Sequence, residues 1–257
     1  MAFLMYQRGT QRGALAPRHR RPPHPMASYF TPDTLRFLRA LKRNNRREWF
    51  QPRKDRYDQH VRAPMLALID RLAVDFQRFA PEMIASPKTS MYRIYRDTRF
   101  SEDKTPYKIQ AAASFRWRGL DKGRGAGLYL EVGPLWTWMG GGFYAPEPAD
   151  LVRIREHIGD TYPEIDRTVR TAAFRRAFGS LDGEKLTRVP RGYPKEHPAA
   201  EYLKQRNFLA GREFPPEFAA SAEFYPTLVA TFKACMPLVR FLNEPLVADT
   251  GDSHLSR

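Results

Sequence analysis

Residues 91–108 read MYRIYRDTRFSEDKTPYK, and the period of this stretch decides the fold. Alternation places Arg93, Tyr95, Asp97 and Arg99 on one side of an extended chain and Tyr92, Ile94 and Phe100 on the other, because successive side chains of a strand point to opposite faces. The turn SEDKTPY leads into a second strand with cleaner alternation. There Ile109, Ala111, Ala113, Phe115 and Trp117 face one way, and Lys108, Gln110, Ser114 and Arg116 the other. A glycine-rich loop, 119–127, precedes a third strand in which Leu128, Leu130 and Val132 oppose Tyr129 and Glu131. A fourth, 135–139, runs into Gly140-Gly141-Gly142. Connections this short predict an antiparallel meander.

On either side the period lengthens to that of helices. Thr31-Pro32 reads as an N-cap with proline in the first turn, and Leu35, Leu38 and Leu41 mark a short helix stopped at Asn44-Asn45. Trp49 and Phe50 follow as anchors into the core. Val61, Met65, Leu68, Leu72, Phe76 and Phe79 form a helical stripe over 56–79, with a kink or fresh start expected at Pro64. Beyond the meander the pattern predicts helices over 148–158, 163–178, 198–208 and 221–242, and an extended segment over 186–194. The expected class is α+β: an antiparallel sheet of about four or more strands with helices packed mainly on one face. Residues 29–247 read as a single α+β domain between a disordered basic extension, 1–28, and a disordered tail, 248–257.

The chain has 257 residues and a formal net charge of +15. Such a surplus favours anionic partners: nucleic acid, nucleotides, phosphorylated metabolites or an acidic surface. The alternative is solubilising charge typical of an Arg-rich proteome. Residues 1–28 hold five arginines, no acid and Pro17, Pro22, Pro23 and Pro25, too little apolar surface to order themselves. A nucleic-acid-binding arm, a targeting peptide and a dispensable extension from an upstream start codon are the three readings of that segment. Cys235 is the single cysteine, so an intrachain disulfide and a cysteine zinc site are excluded, and it reads as a small core residue. No apolar run approaches the roughly 20 residues that span a bilayer. No signal-peptide core is present, and a reducing cytoplasm is the expected compartment.

Chemistry concentrates on the polar side of the first two strands. Arg93, Tyr95, Asp97 and Arg99 should neighbour Lys108, Gln110, Ser114 and Arg116, with Lys104 added from the turn. Arginine grips phosphate or carboxylate through paired N–H groups, and tyrosine stacks on a base or sugar. Ion pairing across the strands is the competing reading. Arg96 falls on the apolar side and must be paired there, with Asp103 or Glu48. Gly141 and Gly142 form a second candidate, since consecutive glycines can aim several N–H groups at one anion. Alternatively the strand end is packed so closely that only glycine fits. The spacing is neither a Walker loop nor a dinucleotide fingerprint. No histidine has metal-ligand spacing, and no metal site or cofactor class is legible. Asp97 and Glu131 are the acid–base candidates, with Tyr95 or Tyr129 as proton donor.

Four blocks, FLRALKRNNRREWF, YRIYRDTRFSEDKTPYK, GGGFYAPEPADLVRIREHI and RVPRGYPKEHPAAEYLKQRNF, are similar to the uncharacterised family known as domain of unknown function 2461. The resemblance runs from Phe30 to Leu242 in the same order. It implies an α+β domain, mostly bacterial and fungal, and carries over no activity and no catalytic residue. The function expected from the residues is binding of a phosphate-bearing or other anionic ligand, nucleotide-like or nucleic acid, on the basic aromatic face. An enzyme acting on an anionic small molecule at the same face would need a closed pocket. An interaction protein for an acidic partner would show a large exposed aromatic patch.

Overall fold

The structure, a computed structural model, describes residues 28–252, with side chains through residue 248. What the sequence suggests for residues 1–27 and 253–257 lies outside the described residues. Five antiparallel strands form one sheet in the order β1-β2-β3-β4-β5: β1 Met83–Ile84, β2 Ala111–Trp117, β3 Gly127–Val132, β4 Thr137–Phe143 and β5 Phe208–Phe214. The expected meander is β2-β3-β4, in register from Ala111↔Val132 and Val132↔Thr137 onward.

Two expectations about strands need correction. Residues 91–100 do not form a strand along their length; their β pairing is limited to the isolated bridges Met91↔Ala113 and Tyr95↔Tyr107. After Tyr92 N–H donates to the Ala112 carbonyl, the chain turns away and closes on itself, Arg96 N–H donating to Pro106 O and Lys108 N–H to Ile94 O. Conversely, the helix expected over 198–208 is much shorter, and its expected last residue, Phe208, opens a strand. Only Ala200–Leu203 is helical there (α8), and β5 pairs along all of β4, from Phe143↔Phe208 to Thr137↔Phe214.

On the N-terminal side lie α1 Pro32–Arg43, α2 Arg47–Phe50, a 3-10 turn Gln51–Arg53, α3 Lys54–Tyr57, a π turn Asp58–Arg62 and α4 Ala63–Phe79. The fresh start at Pro64 has a local cause. Proline has no N–H to offer the carbonyl four residues back, and the buried Thr34 hydroxyl donates to that His60 carbonyl instead, at 2.6 Å. The same Thr34 oxygen accepts from Thr31 N–H at 3.1 Å, closing the cap of α1. After the meander come α5 Pro148–Asp160, α6 Tyr162–Arg170, α7 Ala172–Phe178 and, after β5 and a 3-10 turn Pro216–Ala220, α9 Phe224–Asp252. The single helix expected over 163–178 breaks at Thr171, whose Oγ1 accepts from Phe174 N–H. Helix α9 continues through Pro237 and Pro245, past the expected limit.

The core lies between the sheet and α4 and α9. Phe76 of α4, Phe115 of β2 and Phe232 of α9 meet pairwise with ring centroids 5.3 to 6.2 Å apart. Cys235 is wholly buried and burial pushes its thiol pKa up, which is core behaviour, not reactivity. Asn243, also buried, clasps β3's approach with both amide atoms: its Oδ1 accepts from Ala126 N–H and its Nδ2 donates to Ala126 O.

Candidate functional site

The excursion from Ile94 to Lys108 is held at its base. Asn45 Oδ1 accepts from Tyr107 N–H at 3.0 Å and its Nδ2 donates to Tyr107 O at 2.8 Å. The Tyr107 ring is buried and stacks on Phe50 with centroids 4.2 Å apart. Arg96 braces the interior of the loop, bonded to Asp103 and to the Thr105 hydroxyl, which is the pairing expected for an arginine on that side. The Asp103 carboxyl is accordingly pulled down to about 2, by Arg96 first and then by the Thr105 N–H.

This geometry disperses the expected crowd of cations. Arg99 is chelated by Asp97, with Nε–Oδ1 at 3.0 Å and Nη2–Oδ2 at 2.7 Å, and the Arg99 hydrogen bonds hold the Asp97 carboxyl below its usual range. Lys104 donates to the Thr98 carbonyl, and Arg116 bends back to the Leu120 carbonyl. Arg93 and Lys108 remain. Among the described residues neither forms an ion pair, and Lys108 is close enough to Arg93 that its pKa falls below the ordinary lysine value, chiefly through burial and secondly through that neighbour.

The aromatic component lies where parity did not put it. Tyr92 is 45% exposed and opposes Ala112, so it shares the face of Ser114, Tyr129, Glu131 and Trp138 that points away from α9. The register carries this row across the sheet: Ala112↔Glu131, Ser114↔Tyr129 and Glu131↔Trp138. Ring centroids of Tyr92 and Tyr129 are 6.2 Å apart, and those of Tyr129 and Trp138 5.8 Å. Lys108 Nζ sits 4.8 Å from the Tyr92 ring centroid, a cation–π contact. Tyr92 beside β2, Tyr129 on β3 and Trp138 on β4 thus form a row that ends at Lys108, with Arg93 close to it; Arg93 makes no direct ion pair, though its charge acts on Asp97. Phe100, assigned to the apolar side by alternation, is instead 94% exposed at the loop tip, and Tyr95 is exposed with its ring against Tyr107.

The acid–base candidates are engaged elsewhere. Glu131 Oε2 accepts from the Tyr129 hydroxyl and Oε1 from Trp136 Nε1, both at 2.8 Å. Burial, followed by the Glu131 charge, raises the Tyr129 phenol well above its usual value, so it stays protonated as Glu131's donor. Asp97, on the loop, is occupied by Arg99. No bond joins Asp97 to Glu131 among the described residues.

Gly141 and Gly142 are not a loop at all. They lie inside β4, paired to β3 at Leu128↔Gly141 and to β5 at Gly141↔Ala210, so the backbone that was to cradle an anion is spent on the ladder. A Cβ on Gly141 would stand 2.8 Å from Leu128 Cδ2 and 3.2 Å from Cys235 Cβ. Glycine there lets α9 approach the sheet. Gly142 adopts φ +130° against Phe208, a conformation that side chains disfavour.

The fold and this face define an α+β protein with an antiparallel sheet whose face opposite α9 carries an aromatic row. Residues 33–241 match the family described as conserved hypothetical protein (DUF2461), and the chain belongs to that family. No curated protein and no solved structure matches the chain. Among the described residues no helix is long and apolar enough to cross a membrane, and no group of three or more His, Cys, Asp or Glu side chains is placed to hold a metal ion.

Proposed function

We propose that the sheet face bounded by Tyr92, Tyr129 and Trp138 binds single-stranded nucleic acid, with Arg93 and Lys108 receiving its phosphates. The observation that carries this reading is the row itself: aromatic rings side by side across the sheet face, ending at Lys108, which pairs with no carboxylate, and at the neighbouring Arg93, which forms no direct ion pair although its charge acts on Asp97. Bases stack on such rings without regard to sequence, and cations follow the backbone. Lys108 above Tyr92 gives the phosphate and the ring of one nucleotide neighbouring contacts. The net charge of +15 draws a polyanion toward the protein. A binding module is favoured over an enzyme because Asp97 and Glu131 already serve Arg99, Tyr129 and Trp136. The cytoplasm is the compartment proposed, in keeping with a single, buried cysteine.

Fluorescence anisotropy with a labelled oligothymidylate tests the reading. Tyr92→Ala removes one stacking platform, worth about 1–3 kcal/mol per base, and leaves the core untouched because the ring is half exposed. Affinity unchanged by Tyr92→Ala combined with Lys108→Gln would show that the ligand, if bound, sits elsewhere.

A further inference from the structure

The first of the four sequence blocks turns a corner that carries positive charge without partners. Helix α1 ends at Arg43 and α2 begins at Arg47, and residues 42–47 read KRNNRR. Lys42, Arg43, Arg46 and Arg47 are all exposed, and among the described residues none of their side chains forms an ion pair or a hydrogen bond. The earlier cations of α1 are accounted for, Arg36 by Asp33 and Arg39 by Glu217. After Asp33 the next acid in the chain is Glu48, which offsets one of the four charges. Like charges crowded on a surface repel one another and raise the local potential, and an anion relieves both.

The place where this corner is fixed sets it apart from an ordinary solvated helix end. Asn45, in its middle, holds the Tyr107 main chain with both amide atoms, at 2.8 and 3.0 Å. Phe50, at the end of α2, stacks on the Tyr107 ring. Contacts at both ends of 45–50 thus lay the corner against Tyr107. Arg46 follows Asn45 and Lys108 follows Tyr107, each about 3.8 Å of chain from the clasped pair. The cations of the corner therefore begin beside Lys108, which itself lies against Tyr92 at the end of the aromatic row.

We infer that the α1–α2 corner continues the phosphate track of the sheet face. A strand whose bases stack on Trp138, Tyr129 and Tyr92 passes Lys108 and runs on over Arg46, Arg47, Arg43 and Lys42. This inference rests on the reading of the sheet face as a nucleic-acid site and lengthens that site. The corner's own ring, Trp49, is half-buried against Phe37 and covered by Arg53 at 4.8 Å. The corner accordingly holds phosphates and not bases, and adds affinity without sequence preference.

Anisotropy titrations of the full-length protein with labelled oligothymidylates of two lengths, about 4 and about 12 nucleotides, test it. The shorter fills the rings alone, and the longer also reaches the corner. Changing Lys42, Arg43, Arg46 and Arg47 together to glutamine should leave the affinity of the shorter nearly unchanged. With one phosphate per cation, the longer should lose about 2.8 of its slope of log K against log salt, or roughly fiftyfold of its weakening between about 50 and 200 mM. Arg46→Gln with Arg47→Gln, a smaller change, should lose about half of that slope. Arg175→Gln with Arg176→Gln removes the same charge from exposed positions on α7, which packs against α9, and should leave the slope as in the native protein. A native slope in the quadruple variant overturns the inference. So does an equal weakening of both lengths, or an α7 pair that costs as much as Arg46 and Arg47. If Tyr92→Ala with Lys108→Gln weakens both lengths while the corner variants weaken neither, the corner alone is lost. If that sheet variant weakens neither length, or neither length binds the native protein, the reading of the sheet face falls and the inference with it.

Discussion

Replacing Arg93 and Lys108 together by glutamine tests the sheet face where it is most quantitative. Both side chains lie outside the core and neither forms an ion pair among the described residues; Asp97, on which the Arg93 charge acts, keeps its pair with Arg99, so the substitution leaves no carboxylate stranded. Each is assigned one phosphate. On single strands log K falls with log salt by about 0.7 per neutralised phosphate, so two contacts account for about 1.4 of the slope, or roughly a sevenfold weakening between about 50 and 200 mM salt. The double variant should lose that much slope in anisotropy titrations of a labelled oligothymidylate across this range. Arg99→Gln and Lys104→Gln are the internal controls. Arg99 is already neutralised by Asp97 and Lys104 is tied to the Thr98 carbonyl, so each should leave the slope nearly as in the native protein. A double variant with the native slope, or an Arg99→Gln protein that loses as much as the double variant, would refute the assignment of free charge to the base of the loop.

Three further outcomes follow from single positions. Lys108 titrates below the usual lysine value in the free protein, and a bound anion favours its charged form. Oligonucleotide affinity should therefore be complete while Lys108 is protonated and fall as pH rises through that lowered pKa, earlier than an ordinary lysine near about 10.4 would allow; Lys108→Arg should abolish the early fall in anisotropy titrations against pH. Gly141→Ala forces a methyl group into contact with Leu128 and Cys235 and should cost about 1–3 kcal/mol as overpacking, read as a lower urea midpoint at unchanged slope. Thr34→Val keeps the shape but strands the His60 carbonyl and the Thr31 N–H, and should cost about 1–3 kcal/mol in the same urea assay.

The parts of the fold that alternation revealed are those whose burial is set within one strand. In β3 Leu128, Leu130 and Val132 are buried and Tyr129 and Glu131 are half buried, and that contrast is written in residue type. Strand β5 carries no such contrast. Its Gly211 and Arg212 weaken the apolar period, and the preceding Arg206-Asn207 looks like the end of a helix. What makes it a strand is the free edge of β4, where Gly140 and Gly141 admit Gly211 and Ala210 alongside them, a tertiary cause absent from the local pattern. Likewise residues 91–100 have a strand's alternation without a strand's neighbour. Asn45, 62 residues distant from Tyr107, fixes where that segment closes on itself.

The same distinction governs the site. Counting charges in 91–108 yields five cations against three acids, a true surplus that composition can register but not place. Placement depends on which cation each carboxylate reaches. Asp97 takes Arg99 two residues away, and Asp103 takes Arg96 across the loop. Both pairings lie beyond the sheet, leaving the tip nearly neutral although it is the most exposed part. Charge without a direct ion pair is left at Lys108 and at Arg93, which acts on Asp97 only through space, where the loop rejoins β2, and there Lys108 meets Tyr92, turned onto the same face by its pairing with Ala112. An anion drawn to this stretch therefore meets it beside aromatic rings and not at the hairpin tip, which is why the ligand argued for carries a ring as well as a phosphate.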